Sequence, residues 1–330
     1  MNRVMQEQLA DRILLVLRFK PKNKIEIKAL AKTMKAEIAD INAALRTLND
    51  WGYRLQQDKS RIALLSAPDI LSAVEISFNL KTKSMGKVIH SFNTVKSTNE
   101  IAQQLAEKGA AEGTIVTAEK QTLGKGRLGR SWHSPEKMGI YVSIILRPKF
   151  SPDQSPGLSI MAALAVAEAL RDYAAGKIQI KWPNDILINN RKVAGVLTEL
   201  SAEKNKINYV VVGIGINVKQ LESDFPPNIR ATAASVKSET GKEISRVELL
   251  KQLLVNFEKE YGHYKKYQLG KALSKIRQYS SLLNQEVALQ WSGATVSGRA
   301  VDIDPSGSLI IESDGNRISV SSGEVTVVKK

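Results

Sequence analysis

A glycine- and arginine-rich segment at residues 124–132, GKGRLGRSW, is the part of the chain best suited to chemistry on an anion. Its three glycines let backbone N–H groups approach a ligand closely, and Lys125, Arg127 and Arg130 supply positive charge. The same residues satisfy the G-x-G-x-x-G spacing of dinucleotide-binding folds, but WHSP and a predicted strand follow where that fold needs a helix. The segment therefore predicts a phosphate or carboxylate site, with a solvated basic loop as the alternative.

A second segment, KWPND at residues 181–185, places a carboxylate at a rigid bend. Pro183 breaks one predicted strand and Asp185 begins the next, so the bend restricts where the Asp185 carboxylate can lie. A carboxylate in such a position can bind a metal–nucleotide or orient a nucleophile, and a plain surface turn is the alternative. Lys192 begins a strand close to this bend across a hairpin, although a single lysine is ordinarily a solvated surface residue.

A third segment, GIGIN at residues 213–217, ends a predicted buried strand. Its two glycines imply the close approach of another group to the backbone, and Asn217 offers an amide at the mouth of the strand. A β-bulge followed by a turn asparagine is the alternative interpretation.

Composition excludes several other kinds of site. The 330 residues include no cysteine, which rules out disulfides, thiolate metal sites and cysteine nucleophiles. The histidines, His90, His133 and His263, lie far apart without metal-ligand spacing. A net charge of +15 predicts anionic partners such as nucleic acid, phosphates or an acidic protein. No apolar run reaches about 18 residues and the N-terminus lacks a secretory cleavage site, so we expect a cytoplasmic protein that does not engage a membrane.

Hydrophobic spacing predicts the elements that must position these segments. Within residues 1–66, helical spacing ends at Trp51-Gly52 and two short strands follow, which predicts a winged helix-turn-helix. Pro68-Asp69 marks a candidate linker. Ser97 and Glu100 have the spacing of a capping box, which predicts the start of a helix that ends at Gly109.

The central part of the chain predicts an α+β fold. A nearly uncharged helix is expected at 158–175 and must be buried, and strands are expected at 114–118, 140–146, 177–182, 185–188, 193–200 and 207–216. Short links between the later strands favour antiparallel pairing and disfavour a doubly wound parallel sheet. Residues 245–280 return to helix, and the alternating strands and Ser-Gly and Asp-Gly turns from about residue 284 predict a small β-barrel.

Taken together, the GKGRLGR loop, KWPND, the strand KVAGVL and GIGIN resemble the motifs of bacterial biotin–protein ligases, of the bifunctional class that also represses the biotin operon. The resemblance covers residues from about 90 to about 320. It implies a multidomain α+β fold with a winged helix-turn-helix at 1–66, a central mixed-sheet biotin/lipoate-ligase-like catalytic domain at 67–283 and an SH3-like β-barrel at 284–330.

The resemblance implies an ATP-dependent biotin–protein ligase. Such an enzyme forms biotinyl-5'-AMP from biotin and ATP, with Mg²⁺ on the triphosphate, and transfers biotin to a lysine of the biotin carboxyl carrier domain of acetyl-CoA carboxylase. Operator DNA and a ligand-dependent homodimer are further implied partners, and residues 139–146 and 193–200 are predicted edge strands for a dimer interface. A lipoate–protein ligase is a related alternative, against which KWPND and the basic loop favour biotin.

The family's site residues can be placed on the matching positions of this chain. Ser97, Thr98, Asn99 and Gln121 are expected to bind the ureido ring, and Lys125, Gly126, Arg127 and Lys192 the biotin carboxylate and adenylate. The expected nucleotide-binding residues are Arg127, Arg130, Trp132, Asn184, Asp185, Lys192 and Asn217. Arg127, Lys192 and Asp185 are the expected catalytic residues, with Arg127 stabilising charge at phosphorus and Asp185 receiving a proton from the incoming lysine. No metal site formed by protein ligands is predicted.

The sequence departs from the family pattern at its two ends and in the loop. Lys125 stands where many relatives have arginine, which keeps the charge but loses the bidentate fork, and Val327-Val328 lies where some have an arginine near the nucleotide. Residues 34–58 carry three basic and four acidic side chains, a poor start for DNA binding, and Ala43 and Ala44 stand where base-reading polar side chains are expected. Nearby lysines could still contact phosphates: Lys20, Lys22, Lys24, Lys28 and Lys32.

Three functional classes therefore stay open at the N-terminal domain. The chain can be a ligase that also represses transcription, a monofunctional ligase with a winged helix that does not bind DNA, or a ligand-responsive transcription factor whose enzyme core has decayed. The full set of catalytic positions argues against the third.

Overall fold

A computed structural model describes residues 3–20, 24–291 and 294–328. The chain divides into two units, Met1–Asn79 and Leu80–Lys330. Over the described ranges, none of the helices combines the length and the apolarity that a membrane crossing requires.

The first unit packs helices against a three-stranded antiparallel sheet of strand order β1-β3-β2. Its core is formed by apolar residues at helical spacing, among them Ile13, Leu30 and Leu45. The predicted helices and hairpin are confirmed, whereas Lys22 lies outside the described residues. The elements are α1 (Arg3–Phe19), β1 (Ile25–Glu26), α2 (Ile27–Met34), α3 (Ile38–Asp50), β2 (Arg54–Gln57), β3 (Arg61–Ser66) and α4 (Ala73–Ser77).

The expectation for Ala44 in this unit is wrong. Ala44 is 0% exposed and belongs to the core, so its small size meets a packing requirement and says nothing about base reading. The exposed face of α3 instead carries Ile38, Ala39, Arg46 and Asn49.

The second unit contains a seven-stranded mixed sheet of strand order β4-β5-β6-β10-β9-β8-β7. β4 and β5 pair parallel and every other neighbouring pair is antiparallel, which confirms the predicted preference for antiparallel pairing. The tight turn between β8 and β9 has Asn189 and Asn190 at positive φ, a conformation that asparagine tolerates. The strands are β4 (Ile89–Val95), β5 (Ile115–Gln121), β6 (Gly139–Leu146), β7 (Ile178–Lys181), β8 (Asp185–Ile188), β9 (Arg191–Glu203) and β10 (Lys206–Asn217).

The predicted edge strands are wrong. β6 lies between β5 and β10, and β9 lies between β10 and β8, so both are interior strands. The edges are β4, which the sequence analysis did not predict, and β7. Apolar alternation indicates a strand but not its neighbours, because sheet order depends on contacts that are distant in sequence.

The helices of the second unit confirm the predicted helical stretches. The helix predicted at 158–175 is α6, which is buried along most of its length as its lack of charge requires. It packs against the long helix of the predicted 245–280 region. The helices are α5 (Thr98–Glu107), α6 (Gly157–Ala174), α7 (Pro227–Arg230), α8 (Val236–Thr240), α9 (Arg246–Tyr267) and α10 (Leu273–Tyr279).

The chain ends in a five-stranded antiparallel sheet of order β14-β13-β12-β11-β15. The predicted turn at Ser292-Gly293 lies outside the described residues. The strands are β11 (Glu286–Trp291), β12 (Ala294–Ile303), β13 (Leu309–Ser313), β14 (Asn316–Val320) and β15 (Val325–Val327).

A single carboxylate on α9 holds the segment that precedes β4. Glu258 accepts hydrogen bonds from the backbone N–H groups of Lys83, Ser84 and Met85 at 2.7, 2.6 and 2.9 Å. Burial alone would raise the pKa of Glu258, but these N–H donors outweigh it and lower the pKa from 4.5 to about 2. The segment is therefore held to α9 by an ionised group.

Candidate active site

One cavity of about 650 Å³ in the second unit is lined by every predicted site residue. The side chains come from the start of α5, the end of β5, the loop that follows it, the β7–β8 bend, the start of β9 and the end of β10. Residues far apart in sequence therefore meet at one site. They are Ser97, Thr98, Asn99, Gln121, Lys125, Gly126, Arg127, Arg130, Trp132, Asn184, Asp185, Lys192 and Asn217.

The loop at residues 124–131 folds back on itself as a small hairpin. Gly126 N–H donates to the Arg130 carbonyl at 2.7 Å. The first glycine is required by space, because a Cβ at Gly124 would lie 2.5 Å from the Trp132 carbonyl oxygen. Leu128, at the tip, has φ of +56° and is 74% exposed. The loop contains a short 3₁₀ turn at Arg127–Gly129. The next regular element is β6 and not an α-helix, as predicted.

Arg127 is a half-buried cation held by neutral groups. Its Nη1 donates to Asn184 Oδ1 at 3.0 Å and to the Gly323 carbonyl at 3.4 Å. Burial lowers the pKa of Arg127, and the carboxylates of Asp185 and Glu324 only partly oppose that effect. Within the described ranges Arg127 has no ion pair. A cation in this setting favours an anionic ligand.

Lys192 and Asp185 form an ion pair inside the cavity, with Nζ 2.7 Å from Oδ1. The two side chains are 35% and 24% exposed. Lys192 also lies 5.5 Å from the centre of the Trp132 ring. Its backbone N–H donates to the Thr232 carbonyl at 2.8 Å, which fixes the segment carrying Ala233 on the cavity wall. The predicted proximity of Lys192 to the proline bend is thus confirmed.

Trp132 lies flat on a glycine floor. A Cβ at Gly215 would collide with the Trp132 indole, and one at Gly195 would lie 3.3 Å from it. Of the two GIGIN glycines for which a bulge was the alternative, Gly215 therefore makes room for this ring, whereas Gly213 makes room for the Asn99 amide, whose Oδ1 would collide with a Cβ. Trp132 Nε1 is buried and, within the described residues, has no hydrogen-bond partner.

Part of the cavity is a polar wall formed by Thr98, Asn99 and Gln121. Thr98 N–H donates to Gln121 Oε1 at 2.8 Å, and Gln121 Nε2 donates to Ser134 Oγ at 3.0 Å. Asn99 Nδ2 donates to Glu199 Oε2 at 2.6 Å. Ser134 and Glu199 were not predicted, because nothing in their local sequence shows that they face this wall.

The predicted capping box at Ser97 is wrong. Ser97 is the N-cap of α5, but its side chain makes no capping hydrogen bond. The Glu100 carboxylate instead pairs with Lys125 Nζ at 2.7 Å, and this hydrogen bond raises the pKa of Lys125. Glu100 at the start of α5 therefore holds the glycine-rich loop through Lys125 and does not take part in a capping box.

Asn217 lines the cavity, yet its amide serves the chain itself. Its Nδ2 donates to the Ala234 carbonyl at 3.0 Å, and its Oδ1 accepts from Gln220 Nε2 at 3.3 Å. Asn184 is similarly engaged, donating to the Val196 carbonyl at 2.8 Å while accepting from Arg127. Direct contact of Asn217 with a nucleotide stays a prediction.

The C-terminal sheet reaches the cavity at two places that the sequence analysis missed. The Arg130 guanidinium makes a two-pronged pair with the Glu324 carboxylate, with N–O distances of 2.7 and 2.5 Å. At the second place Trp182 Nε1 donates to the Gly307 carbonyl at 2.7 Å, and the peptide bond between Trp182 and Pro183 is cis. The sheet therefore contacts both the glycine-rich loop and the KWPND bend.

Comparisons with known proteins show which family the chain resembles. The model of the biotin/lipoate A/B protein ligase family matches residues 91–217, and that of the biotin protein ligase C terminal domain matches residues 282–328. The bifunctional ligase/repressor BirA of Bacillus subtilis is 35% identical over 85% of this chain and 87% of that protein. A biotin–acetyl-CoA-carboxylase ligase of Paracoccus denitrificans is 32% identical over 69% of this chain and 96% of that protein. The structure of the biotin protein ligase from Aquifex aeolicus in complex with biotin and ATP has a TM-score of 0.64 and 32% identity, covering 74% of this chain and 100% of that one.

Proposed function

The chain belongs to the biotin/lipoate A/B protein ligase family, and on that premise we propose that it is an ATP-dependent biotin–protein ligase. It forms biotinyl-5'-AMP and then transfers biotin to a lysine of a biotin carboxyl carrier domain. The observation that carries the proposal is the meeting of Arg127, Asp185 and Lys192 in one cavity with a wall of hydroxyl and amide groups.

In the first step the biotin carboxylate attacks the α-phosphorus of ATP, a C–O–P linkage forms, and pyrophosphate leaves. This brings two anions together and builds charge on the phosphoryl oxygens. Arg127, whose partners among the described residues are neutral, lines the same cavity as Lys192, and together they can hold the carboxylate and the phosphate. Fixed cations in a partly buried site stabilise that charge without reorganising, so they lower the barrier.

Mg²⁺ enters this account only as the ion that accompanies the triphosphate. Over the described ranges no cluster of three or more acidic or histidine side chains could hold a metal by itself. The Asp185 carboxylate on the cavity wall would suit a magnesium ion whose other ligands are phosphates and water, and that ion would neutralise the leaving pyrophosphate.

In the second step the acceptor lysine attacks the carbonyl carbon of biotinyl-5'-AMP, an amide forms, and AMP leaves. The lysine must first lose a proton, because an ammonium has no lone pair. Asp185 lines the cavity, and its ion pair with Lys192 orients its carboxylate to take that proton.

Biotin is favoured over lipoate by the chemistry of the polar wall. Biotin's ureido ring offers two N–H groups and a carbonyl, whereas the dithiolane ring of lipoate offers no N–H. The wall around Thr98, Asn99 and Gln121 is hydrogen-bonded on its protein side and presents polar atoms to the cavity. A site of this kind discriminates against a ligand that leaves its polar groups unpaired.

The adenylation step can be tested without any acceptor. Purified protein incubated with biotin and Mg-ATP is expected to accumulate biotinyl-5'-AMP, detected by mass spectrometry, with one pyrophosphate released for each active site. Replacing biotin by lipoic acid is expected to give much less product. Absence of the adenylate with every acid tried would contradict the proposal.

For the first unit we infer a winged helix-turn-helix that binds operator DNA, with α3 as the reading helix. Three observations support this: the order of helices and strands, the exposed Arg46 and Asn49 on α3, and the similarity to a relative named as a bifunctional ligase/repressor. The monofunctional alternative keeps its support from the charge balance of residues 34–58. A gel shift with operator-containing DNA, with and without biotin and ATP, separates the two, and Arg46→Ala should abolish any specific shift.

Further proposals concern assembly and organisation. We propose that the acceptor is the carrier domain of acetyl-CoA carboxylase, that the adenylate-bound protein forms a homodimer, and that the reaction takes place in the cytoplasm. We also propose the domain boundaries 1–66, 67–283 and 284–330, with an SH3-like barrel as the last domain, which the match of residues 282–328 supports. Sedimentation velocity with and without biotin and ATP tests the dimer.

A further inference from the structure

A carboxylate outside the cavity sets the hydrogen-bonding pattern of the polar wall. Glu199 lies on β9 opposite Val211 and does not line the cavity. Its Oε2 accepts a hydrogen bond from Asn99 Nδ2 at 2.6 Å. Because a carboxylate oxygen accepts hydrogen bonds, the Asn99 amide turns its NH₂ group toward Glu199 and its carbonyl oxygen the other way.

The Asn99 carbonyl oxygen then determines where the proton of Ser143 goes. Ser143 is 0% exposed, and its Oγ lies 2.5 Å from Asn99 Oδ1 and 2.8 Å from Thr98 Oγ1. A serine hydroxyl has one proton, and Asn99 Oδ1 has none, so Ser143 donates to Asn99. Toward Thr98, Ser143 can therefore only accept.

Thr98 is constrained from its other side as well. Its hydroxyl lies 3.1 Å from Gln121 Oε1, and that oxygen is fixed in place because it also accepts from Thr98 N–H at 2.8 Å. The single proton of the Thr98 hydroxyl is directed to Ser143 or to Gln121, both of which accept. The Thr98 hydroxyl oxygen therefore presents a lone pair to the cavity, which suits an N–H donor on the ligand.

We propose that Glu199 is a specificity-determining positioning residue, which makes Thr98 an acceptor for a ureido N–H by orienting Asn99. This inference rests on the proposed function, since biotin carries such N–H groups and lipoic acid carries none. Without Glu199 the Asn99 amide is free to turn over and Ser143 can donate to Thr98, so the Thr98 proton is no longer held by Ser143 and is shared between Gln121 and the cavity. A donor there would leave the ureido N–H unpaired.

The test compares matched variants of the full-length protein in the adenylation assay. Glu199→Gln keeps the shape of the side chain but removes the acceptor-only constraint, and Glu203→Gln makes the same charge change at an exposed position of the same strand. We expect Glu199→Gln to raise KM for biotin about tenfold, as one unmade hydrogen bond implies, with KM for ATP changed by less than about twofold. Glu203→Gln is expected to match the parent, and inhibition by lipoic acid is expected to be no weaker in Glu199→Gln.

A double-mutant cycle shows whether Glu199 acts through Ser143. Ser143→Ala breaks the chain of hydrogen bonds, so adding Glu199→Gln to it should change KM for biotin little further. If Glu199→Gln does not fold by circular dichroism, Glu199→Asp keeps the charge but shortens the reach, and it should raise KM for biotin in the same direction. An unchanged KM for biotin in a folded variant, an equal weakening of lipoic acid, or fully additive effects in the cycle would each overturn the proposal. A parent protein that forms no biotinyl-5'-AMP would instead overturn the proposed function.

Discussion

Replacing Arg127 by methionine should separate stability from activity. In the folded protein the guanidinium has two neutral partners, Asn184 Oδ1 at 3.0 Å and the Gly323 carbonyl at 3.4 Å. Losing two hydrogen bonds of this kind costs about 1 kcal/mol each. Removing a half-buried cation that has no ion pair within the described ranges relieves desolvation of similar size. The free energy of unfolding should therefore change by less than about 1 kcal/mol.

Adenylation should respond very differently to the same substitution. In the proposed reaction the Arg127 guanidinium faces the charge that develops on the α-phosphate, and loss of one such fixed donor lowers rates by about 10²–10³, or roughly 3–4 kcal/mol. We expect kcat/KM for biotinyl-5'-AMP formation to fall by about that factor, most of it in kcat. Arg127→Lys keeps the charge but loses the planar fork. Its kcat/KM should therefore lie between those of the parent and of Arg127→Met.

The assay is single-turnover adenylation together with chemical denaturation of each variant. Arg171→Met, which removes an exposed arginine of α6, is the matched control and should retain full activity. A kcat/KM for Arg127→Met within about threefold of the parent would refute the reasoning. So would a loss of activity that follows a loss of several kcal/mol in stability, because Arg127 would then be a structural residue.

Three further predictions concern transfer, space and acid stability. Asp185→Asn should slow transfer from preformed biotinyl-5'-AMP to the carrier by about 10²-fold, and full transfer would contradict its role as proton acceptor. Gly215→Ala should displace Trp132 and weaken ATP binding in a titration, whereas Gly262→Ala, which meets no other atom within 4 Å in mid-helix, should leave binding unchanged and stabilise the protein by about 0.5–1 kcal/mol in urea unfolding. Because the folded pKa of Glu258 is about 2, below its ordinary 4.5, its stabilisation is present above pH 4.5 and is lost as pH falls toward 2. Glu258→Gln should therefore lower stability near pH 7 by about 1 kcal/mol after allowance for solvent screening, with little difference from the parent at or below about pH 2.

The sequence was sufficient to predict the three motif segments of the site because each has a local signal, whereas the ligand-binding roles of Ser97, Thr98, Asn99 and Gln121 came only from the family resemblance. Glycines spaced for a tight loop, a proline followed by an aspartate, and an Asn189-Asn190 turn all report on backbone conformation within a few residues. The long, nearly uncharged stretch that forms α6 must likewise be buried, because it is apolar on almost all sides.

What could not be predicted depends on which distant residues become neighbours. Glu199 reaches Asn99 across 100 positions, and Glu324 reaches Arg130 across 194. Neither carboxylate stands in a motif, so its partner is visible only after the sheet order is known. The interior placement of β6 and β9 was missed for the same reason.

Two smaller errors show local signals overridden by tertiary contacts. Glu100 has the spacing of a capping residue, yet the Lys125 ammonium is a stronger partner for its carboxylate than a backbone N–H. The expectation for Ala44 came from its position in the predicted reading helix. Its side chain instead lies on the face of α3 that packs into the core.

Transfer of labelled biotin to a carrier domain tests the central claim most directly. The purified chain should attach one biotin to the carrier in the presence of Mg-ATP, and a carrier whose acceptor lysine is replaced by arginine should stay unlabelled. Arg127→Met should show the loss already described for adenylation, while retaining transfer from added biotinyl-5'-AMP more fully than Asp185→Asn. A carrier that stays unlabelled by a folded, ATP-supplied parent protein would contradict the account.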